Sequence, residues 1–215
     1  MKKLCIFDLD GTLTDTLTAI AHFANLALKE MGFDPIEKEN FKYFAGDGRS
    51  MLMHRTLNYH NADTDENFKK IVSLYDTAYE ADPMYKTDAY DGIRDVVDAL
   101  KEKGIKIAVC SNKPHNVACD VIKTVFGDKF DYVKGINDGD KVKPYPDNVF
   151  KIMNEFNVKK EDCIFVGDTN VDIQTAKNAG VESIGVLWGF RDREELIKAG
   201  ADHIIRKPCE ILKFI

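Results

Sequence analysis

The chain contains no long apolar run. None of its 215 residues falls in an uninterrupted apolar stretch of the length needed to cross a bilayer. The N-terminus, MKKLCIFDLDGT, has two lysines but reaches an aspartate at position 8, too early for the apolar region of a signal peptide. We therefore expect a cytoplasmic protein that does not have a membrane as its partner.

The chain also lacks an excess of basic residues. It has 30 Lys and Arg against 36 Asp and Glu, which gives a formal net charge of −6. Nucleic acids and anionic membranes attract clustered Lys and Arg, so neither is expected as the main partner. Hydrophobic residues make up 44% and charged residues 31% of the sequence, a balance that is typical of a folded soluble protein and not of a disordered one.

Cysteines are few and show no metal-binding pattern. The five cysteines are odd in number and include no CxxC motif, which argues against a zinc site and a disulfide framework. Cys5, Cys110 and Cys163 lie inside apolar runs, so we interpret them as small buried hydrophobic residues of a protein in a reducing compartment.

Near-continuous apolar runs recur along most of the chain, and segments with helical periodicity lie between them. The runs are KLCIFD (3–8), IKIAVCS (105–111), DCIFVGD (162–168) and VESIGVLW (181–188). Apolar runs of this kind are typical of parallel strands that are covered on both faces. Their alternation with helices predicts an α/β fold with a doubly wound parallel sheet.

Residues 15–85 interrupt this alternation. This stretch contains no strand candidate, but three segments starting near positions 17, 49 and 65 have the apolar spacing of helices. The sequence therefore predicts an α-helical domain at 15–85, inserted into an α/β core that is formed by residues 1–14 and 86–215.

Two acidic residues stand at the end of the first predicted strand. The side chains of Asp8 and Asp10 point the same way because they are two residues apart, and ligands of open α/β sheets bind at this edge. Two neighbouring carboxylates repel each other unless a cation lies between them, and Mg²⁺ is commonly shared by carboxylates and a substrate phosphate. Gly11 allows close backbone approach to an anion, and Thr12 offers an N–H and a hydroxyl.

Three further segments supply groups that phosphoryl transfer requires. Ser111 and Asn112 are neutral donors at a strand end, and Lys143 provides a positive charge before a predicted helix. Asp168 ends another strand as a metal-ligand candidate, with Asp172 four residues later as a second ligand or as a holder of metal-bound water. Each motif alone is weak evidence, but their joint placement at strand ends favours a phosphoryl-transfer site.

The motifs DLDGTLTD, SN, KPYPD and GDTNVD together resemble the haloacid dehalogenase-like superfamily of aspartate-nucleophile phosphatases. The resemblance implies a Rossmann-like core with a helical cap that closes over the site. It also implies that Asp8 attacks phosphorus to form an aspartyl-phosphate. Asp10 would protonate the leaving oxygen and then activate water, a role that true dehalogenases lack.

The same resemblance implies roles for the other site residues. Ser111 and Lys143 would hold the phosphoryl group. Asp8, Asp168 and the backbone carbonyl of Asp10 would bind Mg²⁺, with Asp172 as a ligand or in the outer shell.

The tail GVLWGFRDREELIKAGADHII and the segment GDGRSML look most like phosphoglycolate phosphatases, so 2-phosphoglycolate is the first substrate hypothesis. In that case Arg49 would recognise the substrate carboxylate. A pyrophosphatase or a β-phosphoglucomutase-like sugar phosphomutase of the same superfamily stays open as an alternative. A receiver-type phospho-accepting domain is disfavoured, because receivers have no inserted domain. The sequence does not decide between a monomer and a homodimer.

Overall fold

The computed structural model describes residues 1–215. The chain forms two compact units, one of residues 1–15 and 89–215 and one of residues 16–88. The second unit begins one residue later and ends three residues later than the sequence suggests. Its end coincides with a short strand, β3 (Asp88–Ala89), which pairs with β2 (Thr14–Asp15) in a two-stranded sheet. Strands of two residues leave no periodic signal in a sequence.

The larger unit is built on a six-stranded parallel sheet. Its strand order is β5-β4-β1-β6-β7-β8, so β1 lies in the middle between β4 and β6. This confirms the predicted doubly wound α/β class. The strands are β1 (Leu4–Phe7), β4 (Lys106–Pro114), β5 (Tyr132–Ile136), β6 (Cys163–Gly167), β7 (Glu182–Val186) and β8 (His203–Ile205).

Helices alternate with these strands along the chain. They are α5 (Ile93–Glu102), α6 (His115–Phe126), α7 (Asp147–Glu155), α8 (Asn170–Ala179) and α9 (Arg193–Ala199). Two short 3₁₀ helices at Lys160–Asp162 and Pro208–Phe214 complete the unit. Helices α5, α6, α7 and α8 lie where the sequence pattern predicts helices, because their apolar residues repeat at helical spacing.

The smaller unit is helical, as the absence of strand candidates predicts. It contains α1 (Leu17–Glu30), α2 (Phe41–Phe44), α3 (Arg49–Tyr59) and α4 (Asp65–Ala81), with a 3₁₀ turn at Lys38–Asn40. Phe23 of α1 packs against Tyr79 of α4 with ring centroids 5.0 Å apart. The Thr64 hydroxyl caps α4 by accepting a hydrogen bond from the N–H of Asn67, which satisfies one of the free donors at that helix end.

The core of the larger unit lies between the sheet and its helices. Leu4, Ile6 and Phe165 are almost completely buried there. The strand cysteines Cys5, Cys110 and Cys163 are buried too, as expected from their apolar runs. No helix has both the length and the apolar character required to span a membrane.

Candidate active site

Three carboxylates converge at the carboxyl edge of the central strands. Asp8 directly follows β1, Asp168 directly follows β6, and these strands are paired in parallel with Phe7 opposite Val166. Asp172 lies in the first turn of α8, which begins just after Asp168. All three side chains are buried, and one oxygen from each lies within 4.8 Å of the others. The parallel sheet thus brings Asp8 next to two acids that lie more than 150 residues further along the sequence.

Lys143 lies among these acids. Its Nζ is 2.8 Å from Oδ1 of Asp8 and 2.7 Å from Oδ1 of Asp172. Burial alone would lower the pKa of Lys143, but the carboxylates of Asp172 and Asp8 raise it above its usual value, so the ammonium stays charged. Burial raises the pKa of the Asp8 carboxyl and Asp172 raises it further, while Lys143 acts in the opposite direction.

Hydrogen bonds orient both oxygens of Asp168. The Thr12 hydroxyl donates to Oδ1 at 2.8 Å, and the backbone N–H of Phe190 donates to Oδ2 at 2.8 Å. Gly11 has a φ of +88°, and a Cβ at this position would lie 2.4 Å from Oδ2 of Asp168. Only glycine therefore allows the loop after β1 to pass this close to the carboxylate. In this structure the anion next to the Gly11 backbone is the Asp168 carboxylate, and contact of Gly11 with a substrate anion stays a prediction.

Asp172 has a structural role as well as a place in the acidic cluster. Its Oδ2 accepts hydrogen bonds from the backbone N–H and the hydroxyl of Thr169, at 3.0 and 2.8 Å. The bond from the Thr169 N–H belongs to a capping box at the start of α8. Its Oδ1 is bonded to Lys143. Because Oδ2 of Asp172 already accepts two hydrogen bonds and its Oδ1 faces the Lys143 ammonium, Asp172 suits the outer shell of a metal site better than direct ligation.

The charge balance of this cluster fits a divalent cation. Asp8, Asp168 and Asp172 carry three negative charges when ionised, and Lys143 neutralises one of them. Two uncompensated charges in a buried site are costly, and burial and Asp172 raise the pKa of Asp168 accordingly. Carboxylate oxygens are preferred ligands of Mg²⁺, so the residues present could hold this ion.

The segment after the regular part of β4 carries the predicted phosphate donors. The pairing of β4 with β5 shifts register between Cys110 and Pro114, so the strand continues past the predicted end as an irregular segment. Asn112 binds the backbone of Lys143 at two points: its Oδ1 accepts from the N–H at 2.7 Å, and its Nδ2 donates to the carbonyl at 3.2 Å. Ser111 is buried, and its hydroxyl accepts a hydrogen bond from the backbone N–H of Lys113. Phosphate contacts of Ser111 and Asn112 stay predictions.

Sequence reasoning missed Lys113 altogether. Its Nζ lies 3.2 Å from Oδ1 and 3.4 Å from Oδ2 of Asp10, across 103 positions of sequence. In the sequence Lys113 is one of many lysines, and nothing but its place after the Ser-Asn pair marks it. The parallel pairing of β1 with β4 creates its contact with Asp10.

Trp188 also supports the site, because its indole N–H donates to the carbonyl of Thr12 at 3.0 Å.

Two predicted substrate contacts stay predictions. The Thr12 N–H donates to the carbonyl of Leu9 at 3.3 Å, so both donors of Thr12 have protein partners in this structure. Arg49 begins α3 in the helical unit, where its guanidinium pairs with Asp76 at 2.5 Å.

Comparisons with known proteins agree with these motifs. The sequence profile described as haloacid dehalogenase-like hydrolase matches residues 5–186. A phosphoglycolate phosphatase of Aquifex aeolicus is 29% identical, over 99% of this chain and 96% of that protein. A protein of Caldanaerobacter subterraneus that is provisionally assigned as a pyrophosphatase is 34% identical, over 98% of this chain and 93% of its own length.

Solved structures show the same relationship. A crystal structure from Lactobacillus delbrueckii, provisionally assigned as a phosphoglycolate phosphatase, superimposes with a TM-score of 0.96 at 30% identity. The alignment covers 100% of this chain and 99% of that one. With the profile match spanning most of the sequence, the chain belongs to the haloacid dehalogenase-like hydrolase family.

Proposed function

We propose that this protein is a Mg²⁺-dependent phosphatase that hydrolyses a small phosphate monoester through an aspartyl-phosphate on Asp8. The observation that carries the proposal is the buried constellation in which Lys143 lies 2.8 Å from Asp8, beside Asp168 and Asp172. A carboxylate nucleophile and a phosphate dianion repel each other, so a site for this reaction needs positive charge around the transferring group.

The reaction follows from the roles of two acids. An Asp8 oxygen attacks phosphorus as the bond from phosphorus to the ester oxygen breaks, and Asp10 donates its proton to the departing oxygen. Asp10 then takes a proton from a water molecule that attacks the phosphorus of the aspartyl-phosphate. Inorganic phosphate leaves and the Asp8 carboxylate is regenerated.

The remaining residues hold the reacting groups. Lys143 orients Asp8 and neutralises charge on the phosphoryl oxygens, and Ser111 donates a hydrogen bond to them. Asp8, Asp168 and the Asp10 carbonyl would hold Mg²⁺, with Asp172 in the outer shell. When bound, the ion supplies electrostatic stabilisation of the charge on the transferring phosphoryl group.

For the substrate we propose 2-phosphoglycolate. Support comes from full-length relatives that are named phosphoglycolate phosphatases in several bacteria, including that of Aquifex aeolicus. Pyrophosphate is a second candidate, because the provisionally assigned pyrophosphatase of Caldanaerobacter is 34% identical over nearly the whole chain.

A substrate panel tests both parts of the proposal. We would compare kcat/KM for 2-phosphoglycolate, pyrophosphate, sugar phosphates and nucleotides in Mg²⁺, and expect the highest value for 2-phosphoglycolate. A higher kcat/KM for pyrophosphate would refute 2-phosphoglycolate as the preferred substrate, and the proposed reaction at Asp8 would still stand.

The chemistry is tested by Asp8→Asn, which should abolish turnover of every substrate without unfolding the protein. Asp128→Asn is the matched control, since that side chain is 88% exposed and lies outside the site. Substantial turnover by Asp8→Asn would refute the proposed nucleophile.

A further inference from the structure

Lys113 and Asp10 form an ion pair that is shielded from solvent. The Lys113 side chain is 7% exposed and the Asp10 side chain 20% exposed. An exposed ion pair contributes little and reorients freely, whereas a shielded pair holds its members in one geometry. Lys113 is therefore not an ordinary surface lysine, although its place in the sequence gives no sign of this.

The contact fixes the direction of the Asp10 carboxyl group. Lys113 Nζ approaches both oxygens, at 3.2 and 3.4 Å, so it lies near the bisector of the carboxylate and restrains its rotation. Lys113 is itself restrained, because its backbone N–H donates to the Ser111 hydroxyl. Its neighbour Asn112 binds the backbone of Lys143. One short segment, residues 111–113, thus contacts Asp10 directly and also the backbone of Lys143, whose side chain pairs with Asp8.

We propose that Lys113 is a positioning residue that aims the Asp10 carboxyl at the leaving-group oxygen. The inference rests on the proposed function, in which Asp10 is the proton donor. General acid catalysis requires the donor to lie within hydrogen-bond reach of the oxygen that it protonates. Small misplacements of a reacting group cost large factors in rate, so a residue that holds Asp10 in place contributes to catalysis without touching substrate.

The test uses substrates that differ in their need for a proton. A nitrophenyl phosphate has a leaving group that departs as an anion, whereas an alkyl phosphate needs protonation of the departing oxygen. For Lys113→Met we expect kcat/KM to fall by less than about 10-fold with nitrophenyl phosphate and by about 100-fold or more with alkyl phosphates. Lys113→Arg, which keeps the cation, should recover part of the alkyl-phosphate activity. Lys123→Met, at a 65% exposed lysine, is the matched control and should leave both values unchanged.

Two results would overturn the inference. An equal loss for all leaving groups would mean that Lys113 acts on the phosphoryl group or only on the fold. A loss that follows the charge of the leaving group, and not its basicity, would make Lys113 a substrate-binding residue. Thermal melting of each variant separates unfolding from a catalytic defect.

A double-mutant cycle provides a second test and separates this inference from the proposed function. If Lys113 acts through Asp10, adding Lys113→Met to Asp10→Asn should cause no additional loss of activity. Residue 10 carries no charge in this double variant, so the loss of the Lys113 cation leaves no carboxylate unpaired there. An additional loss equal to that of Lys113→Met alone would refute the positioning role. Full activity of Asp10→Asn with alkyl phosphates would instead refute the acid role of Asp10 in the proposed function, on which this inference rests.

Discussion

Replacing Lys143 by methionine should destabilise the protein, as well as inactivate it. The Lys143 side chain is 2% exposed, and its partners Asp8 and Asp172 are 8% and 0% exposed. Methionine keeps much of the side-chain volume but removes the charge, which leaves two buried carboxylates facing each other. Breaking a buried pair by removing one partner costs about 3–5 kcal/mol, so we expect a loss of that size in the free energy of unfolding at neutral pH.

The loss should depend on pH with a defined sign. Burial and Asp172 already raise the pKa of Asp8, and removing Lys143 takes away a group that lowers it. The folded variant then retains a proton that the unfolded chain releases above its ordinary pKa of about 4. Stability therefore falls as pH rises from that value toward the raised folded-state pKa. The difference from the unsubstituted protein should be larger at about pH 8 than at about pH 5.

Urea unfolding without metal measures this difference, and the fluorescence of Trp188, the only tryptophan, reports it from beside the site. Lys123→Met removes an exposed ion pair and should change stability by less than about 1 kcal/mol at every pH. Mg²⁺ should restore part of the stability of Lys143→Met, because it binds the folded state. A loss below about 1 kcal/mol, or one that is the same at both pH values, would contradict this electrostatic description of the site.

Three other substitutions follow from the same structure. Gly11→Ala places a Cβ 2.4 Å from Asp168 at a φ of +88°, so we expect a lower melting temperature, from strain of about 1–3 kcal/mol, and weaker Mg²⁺ binding by calorimetry. Thr12→Val removes a donor to Asp168 and should weaken Mg²⁺ binding about 10- to 100-fold with little change in melting temperature; unchanged affinity would exclude that role. Hydrogen bonds from Lys134 and Lys151 hold the pKa of Asp140 below its usual value, so Asp140→Asn should lower the free energy of unfolding by about 1–2 kcal/mol at neutral pH. This difference in stability should shrink as pH falls below about 4, because the unfolded chain then binds a proton at Asp140. Acid-unfolding curves that show the same difference at every pH would contradict this prediction.

The sequence predicts the middle of the fold better than its edges. The four longest apolar runs correspond to β1, β4, β6 and β7, because buried parallel strands need continuous apolar sequence. The outer strands β5 and β8 were missed. β8 has three residues, and β5 includes Lys134 and Gly135, so neither forms a recognisable run.

The acidic cluster was predictable for a similar reason. Asp8 and Asp168 each follow a buried strand directly, and parallel strands place such ends together at one edge. The interactions that orient these acids were not predictable. Lys113 meets Asp10 across 103 residues, and Phe190 bonds Asp168 through its backbone, which carries no sequence signal.

The central claim is that the phosphoryl group of the substrate becomes bonded to Asp8. The most direct measurement is rapid acid quenching of a turnover reaction, followed by peptide mass spectrometry. We expect one phosphoryl group on the peptide that contains Asp8, released by hydroxylamine as an acyl phosphate is, and absent from Asp8→Asn. A phosphoryl group on any other residue would contradict the account.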